Sequence, residues 1–122
     1  MKGSLRTSLK RSTTLIRQLI TFLFPTIFPG TSVVTRSFRV TQPINNGEVI
    51  VSQSRASGST AEPVVRYQFV NAGTGLPVTN SITVTGTRIV VLPFVLPPGT
   101  FRLRIANSGT GGVRVEGVIL VF

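Results

Sequence analysis

TFRLRIANSGTGGVRVEGVILVF, residues 100–122, is a stretch with a period of two. Phe101, Leu103 and Ile105 fall on one side while Arg102 and Arg104 fall on the other. After the glycine-rich NSGTGG, Val113 and Val115 resume the alternation, until the last residues become apolar on both faces. Strict alternation over this length is the mark of a half-buried strand, and Asn, Ser and Gly clusters mark the turns that join strands. Two strands with a short connection between them must run antiparallel, because a parallel crossover takes a dozen residues or more.

The same grammar extends back to Val33. VVTRSFRVT (33–41) alternates, with Val34, Phe38 and Val40 expected on one face and Arg36 breaking it. GEVIVSQSR (47–55), PVVRYQFVN (63–71) and SITVTGTRIVVLP (81–93) follow, the last with Gly86 at its middle as a bulge, corner or break. NNG, SGS, NAGTG, LPPG and NSGTGG separate them. NAGTG and NSGTGG read as hairpin turns rather than phosphate loops, since neither opens a helix or ends in Lys-Ser or Lys-Thr. Six or seven short strands rich in Val and Thr predict an all-β fold, a single antiparallel β-sandwich or jelly roll occupying residues 33–122.

Residues 1–32 differ. TTLIRQLITFLFPTIFPGTS (13–32) is apolar, carries a basic leader and is cut by Pro25 and Pro29. Leu15 and Leu19, like Ile16 and Ile20, stand four apart. The spacing predicts a short helix over roughly 13–23, capped by Ser12 or Thr13 and ended by Pro25, with an extended PTIFPGTS after it. The apolar run is about half the ~20 residues a spanning helix needs, so no spanning membrane helix is expected. A signal peptide fits in outline but lacks an Ala-x-Ala site, the first alanine being Ala56. A lipid-binding surface helix, a cap on the chain's own core and an arm that docks into another subunit stay open, and the docking arm is the sharpest of them. Its candidate contacts are Leu15, Ile16, Leu19, Ile20, Phe22, Phe24, Ile27 and Phe28. The expected edge on the partner copy is the last strand, through Val113, Val115, Val118, Leu120 and Phe122.

Charge and composition narrow the function. The chain has 122 residues, a formal net charge of +10, no Cys and no His. It also lacks Asp, and its only acids are Glu48, Glu62 and Glu116. Triad chemistry needs a base beside the nucleophile, and metal hydrolysis needs clustered ligands, so the protein is expected not to be an enzyme and to hold no cofactor or metal. Residues 1–39 carry seven basic residues and no acid; residues 40–122 carry six arginines against the three glutamates. Lys2, Arg6, Lys10, Arg11 and Arg17 are therefore candidate contacts to an anionic partner.

The text of residues 96–122, with its Gly-Thr turn, Arg-bearing strand, Gly-rich turn and final apolar strand, resembles the jelly-roll subunits of bacterial endospore appendage fibres. In that family an N-terminal connector inserts into the neighbouring subunit. The resemblance implies a homopolymer on a spore or cell surface, with an anchoring protein as a further partner. Connector cysteines are absent here, so disulfide locking is excluded. Two rival readings stand beside it: a small viral capsid-type jelly roll whose basic arm meets nucleic acid, and a monomeric surface-binding module. The capsid reading is weakened by leader charges spaced among leucines, which counts against nucleic acid as a partner, and a sugar-binding module by the lack of Trp and a core setting expected for Tyr67.

Overall fold

The computed structural model describes residues 16–122. The leader residues Lys2, Arg6, Lys10 and Arg11, with Leu15 and the proposed cap at Ser12 or Thr13, lie outside the described residues. Strands β1 (Gln18–Ile27), β2 (Ser32–Val34), β3 (Phe38–Val40), β4 (Asn45–Arg55), β5 (Val64–Asn71), β6 (Ile82–Thr85), β7 (Arg88–Leu96), β8 (Gly99–Asn107) and β9 (Val113–Val121) follow in order, and there is no helix among the described residues. One sheet, here sheet A, has the order β1-β9-β4-β7; the other, sheet B, has β2-β8-β5-β6, with β3 also on β8. Every pairing is antiparallel.

β2 and β3 are one strand broken by a bulge. Val34 faces Arg104 and Phe38 faces Phe101, so three residues, 35–37, stand against two. A one-residue bulge reverses which side chains point inward. Phe38 and Val40 are buried as expected, but Val34 is exposed and Thr35 takes the inward place. There its hydroxyl accepts from the Leu103 N–H at 3.0 Å. With β2 and β3 counted together, the strands in chain order lie 1-8-3-6 in one sheet and 2-7-4-5 in the other, which is the jelly-roll arrangement.

The inner faces meet in one core. Val49 and Val51 on β4, Val113, Val115 and Ile119 on β9, and Leu96 on β7 face Val65, Tyr67, Leu103 and Ile105 from sheet B. Phe69 packs against Phe38 and Phe94, with ring centroids 5.9 and 4.6 Å apart. Phe38, Phe69, Phe94 and Phe101 are all buried, as their alternation predicts.

Buried polar groups tie the sheets together. Gln53, inward on β4 and fully buried, donates to the Val84 and Gly86 carbonyls, both at 2.8 Å, and accepts from the Tyr67 hydroxyl at 2.8 Å. Gly86 has φ +96° and sits where the chain leaves β6 in sheet B for β7 in sheet A. It is thus a strand break at a corner, conformationally reserved for glycine. NAGTG turns a hairpin, with Asn71 N–H donating to Leu76 and Val78 N–H donating to Phe69. NSGTGG does not: it carries the chain from β8 in sheet B across to β9 in sheet A. The two strands of the opening stretch are therefore not partners.

Candidate assembly site

The arm residues form an edge strand of sheet A, not the helix expected over 13–23. β1 pairs with β9 from Gln18 opposite Val121 to Phe24 opposite Val115, then, past a one-residue bulge at Pro25–Thr26, with Ile27 opposite Val113. β-branched and aromatic residues favour a pleated surface, and β9 offers a row of backbone groups to satisfy. Proline is admissible here because it stands on an edge and at a bulge.

The strand divides its candidate contacts between two faces. Ile20 and Ile27 are buried in the core of their own chain, and Phe22 and Phe24 are half-buried against it. Phe22 lies across from Gly117. A Cβ at Gly117 would meet the Phe22 ring at 2.9 Å and overlap the Ile50 carbonyl oxygen, so the missing side chain makes room for both strands. Leu19, Leu23, Ile16 and Phe28 are exposed, as is Arg17.

Specific bonds hold the arm at both ends. The Gln18 side chain donates to the Arg39 carbonyl on β3, bridging the sheets at the open side of the sandwich. Phe28–Thr31 form a turn, with Thr31 N–H on the Phe28 carbonyl at 3.1 Å and Gly30 at φ +75°. Pro29 then Gly30 is the sequence a type II turn demands, so the extended reading stops at Ile27. Asn107 is buried and donates to the Ile27 and Gly111 carbonyls, each at 2.8 Å.

β9 was expected to be an exposed partner edge. It lies instead inside sheet A, between β1 and β4, with both backbone edges occupied. Val113, Val115 and Val121 point into the core, and Val118, Leu120 and Phe122 are half-buried on or beside the outer face. The strand does receive the arm, but the arm is that of its own chain.

The open edges are β1 and β7 in sheet A, and β2 with β3 and β6 in sheet B. Each is blunted. Pro25 interrupts β1, Pro93 removes a donor from β7, the bulge breaks β2 from β3, and β6 has four residues. Natural sheets use these devices to resist pairing with another chain's edge.

The outer face of sheet A is unusually apolar. Register aligns Leu19, Leu120, Glu48 and Pro93 in one row, Thr21, Val118, Ile50 and Val91 in the next, and Leu23, Glu116, Ser52 and Ile89 in the third. Leu19 is 55%, Leu23 50%, Ile89 71%, Val91 52% and Val95 60% exposed. These five side chains alone leave on the order of 500 Å² open, at the upper end of what a typical monomer tolerates. Polar relief on the band comes from Thr21, Ser52, Glu48 and Glu116, the last paired with Arg114 at 2.8 Å.

A groove of about 210 Å³ opens on the β6–β7 side, lined by Tyr67, Phe69, Ile82, Leu92 and Phe94 among others. The Tyr67 hydroxyl is turned away to Gln53, and burial pushes its pKa upward. No group of three or more His, Cys, Asp or Glu converges among the described residues.

No family model and no curated protein matches the chain. Solved structures resemble it in fold. A chain of the T13 IBDV viral particle is 15% identical over 85% of this protein, with a TM-score of 0.52. A chain of infectious bursal disease virus Gx strain is 16% identical over 85%, at 0.48. A family GH115 4-O-methyl-α-glucuronidase is 13% identical over 80%, at 0.47. This chain spans 30%, 31% and 14% of their respective lengths. The first of these likenesses is one of β-sandwich architecture, in keeping with the jelly-roll strand order.

Proposed function

We propose that the protein is a non-enzymatic structural subunit that assembles with copies of itself into a shell or particle of the capsid type, through the outer face of sheet A. The observation that carries this reading is the apolar band across four strands, on a molecule whose strand edges are all blunted. Burying five side chains that are half exposed or more yields roughly 1 kcal/mol each, so on the order of 5 kcal/mol per contributing face. Both copies contribute, and the band approaches the ~800 Å² per partner of a standard interface once its half-buried members are added. The fold shared with a chain of an icosahedral virus particle is compatible with this reading. The basic leader then serves an anionic partner such as nucleic acid.

A second reading keeps the endospore-appendage resemblance: a fibre on a spore or cell surface in which β1 is donated to the next copy. The β1–β9 register would be unchanged by such an exchange, with residues 28–31 as the hinge. Repeated head-to-tail, it builds an open filament.

Negative-stain microscopy with light scattering on the purified chain tests both. Closed particles that dissociate when Leu19, Val91 and Val95 are replaced by serine support assembly by the face. Filaments that survive those replacements and vanish when residues 1–27 are deleted support strand donation and refute the face. Monomers at every concentration refute both.

A further inference from the structure

The outer face of sheet B has the opposite character to that of sheet A. Arg39 on β3, Arg102 and Arg104 on β8 and Arg66 on β5 alternate outward, among Ser32, Gln68, Ser81, Thr83 and Thr100. Arg39 stands opposite Thr100 and Arg66 opposite Ala106, so Arg39, Arg102, Arg104 and Arg66 form a diagonal file across three strands. Each step is about 7 Å, the spacing of alternate residues on a strand or of diagonal neighbours.

No carboxylate of the chain compensates this file. Glu116 pairs with Arg114 and Glu48 faces outward on sheet A. Glu62, the third and last acid, lies before β5 and forms no ion pair among the described residues. The guanidiniums use only neutral acceptors: Arg66 donates to Ser81 Oγ at 3.2 Å, Arg104 to Ser32 Oγ at 3.3 Å and Arg102 to the Thr35 carbonyl at 3.0 Å. Each guanidinium has five N–H groups, so most donors on this face have no acceptor among the described residues. Arg66 and Arg104 flank a small recess of about 50 Å³ with Gln68 and Ser81 at its walls.

We propose that this face binds the phosphate backbone of single-stranded nucleic acid. Cations stepped at about 7 Å suit successive phosphates of an extended strand, and the free forks of arginine suit phosphate oxygens. Tyr67, Phe69, Phe38 and Phe101 all point into the core, so the face has no aromatic platform for bases and reads no sequence. A lipid surface is the poorer match, because adsorption to it draws on apolar side chains beside the cations: Val34, opposite Arg104, is the one large exposed apolar side chain among the arginines, and the apolar band lies on the opposite sheet. The inference stands apart from the assembly reading, since the two faces share no residue.

The test is fluorescence anisotropy of a labelled oligothymidylate with the full chain between about 50 and 200 mM salt. The background carries Lys2, Arg6, Lys10, Arg11 and Arg17 as glutamine, so these N-terminal cations contribute nothing. Replacing Arg66, Arg102 and Arg104 by glutamine should reduce the slope of log K against log salt by about 2, at roughly 0.7 per phosphate contact. Arg39→Gln with Arg66→Gln, both on exposed residues with no backbone bond to lose, should reduce it by about 1.4 if the triple variant unfolds. An unchanged slope overturns the proposal. So does arginine-dependent binding to phosphatidylserine vesicles without binding to the oligonucleotide. Scattering on the sample that keeps all four file arginines separates the two readings: assembly without oligonucleotide binding defeats this inference alone, and oligonucleotide binding without assembly defeats only the other.

Discussion

Replacing alternate residues of β1 separates what the arm does for its own chain from what it does for a neighbour. Ile20 is buried and Leu19 and Leu23 point outward, although the helical reading puts all three on one face. Ile20→Ala removes three carbons from a packed site and should destabilise the chain by about 3 kcal/mol, within the range for buried aliphatic truncations. With a urea m-value of about 1.3 kcal/mol/M for a domain of this size, the midpoint falls by roughly 2 M. Leu19→Ser with Leu23→Ser touches half-exposed side chains and should move the midpoint of the dilute monomer by less than about 0.5 M. The same pair removes roughly 2 kcal/mol of burial from each of the two faces in a face-to-face contact, about 4 in all, which weakens self-association about a thousandfold. Urea unfolding by circular dichroism and sedimentation equilibrium read the two effects separately. Equal midpoint losses for the inward and outward variants would refute the strand and restore a helix packed through Leu19 and Leu23. Unchanged association in the outward variant would refute the face.

Gln53→Leu leaves the Tyr67 hydroxyl and two carbonyls dry, so it should cost about 3–5 kcal/mol in urea unfolding, against about 1–2 for Tyr67→Phe. Burial raises the Tyr67 pKa, so the folded state keeps a proton that the unfolded state releases near pH 10; stability is complete below that pH and declines above it, and Tyr67→Phe should flatten the decline. Asn107→Ala frees the end of β1 and should speed hydrogen exchange across residues 18–27 more than across β4. Gly117→Val should displace Phe22 and the β4 backbone, with a loss of at least 2–3 kcal/mol and the same early exchange in β1.

The interior strands of sheet B were legible because each has one buried and one wet face. TFRLRIAN and PVVRYQFVN state the inward residues of β8 and β5 directly, and Phe101, Leu103, Ile105, Val65, Tyr67 and Phe69 are all buried. The arm was not legible, because its two faces are both apolar: Ile20, Phe22 and Phe24 meet the core while Leu19 and Leu23 belong to the outer band. A run that is greasy on both sides satisfies an i, i+4 pattern as readily as an i, i+2 pattern. Its Ile, Thr and Phe content was the available signal for a strand. Val34 was misplaced by a bulge that leaves no trace in alternation. NNG reads as a turn but lies inside β4, and Gly47 and Gly117 each face inward where a Cβ would overlap a neighbouring strand's backbone. The outer band of sheet A and the arginine file of sheet B needed register, because neither is continuous in the chain.

The placement of β1 also explains why its outward leucines are not merely tolerated. Without the arm, β9 would end sheet A as a nine-residue edge with Val, Ile and Leu on both faces, the profile of a strand that recruits other edges. β1 occupies that edge and replaces it with one broken by Pro25 and the following bulge. Uncontrolled edge pairing is thereby suppressed while the apolar area of the sheet's outer face grows by Leu19 and Leu23. On the assembly proposed above, the same ten residues shift cohesion from the edge, where contacts propagate without limit, to a face, where a symmetric contact can close. A chain built to polymerise through its edges would have no use for proline on both borders of one sheet. A chain built to meet its copies across that sheet gains from it, because the face is then the cheapest surface left to bury.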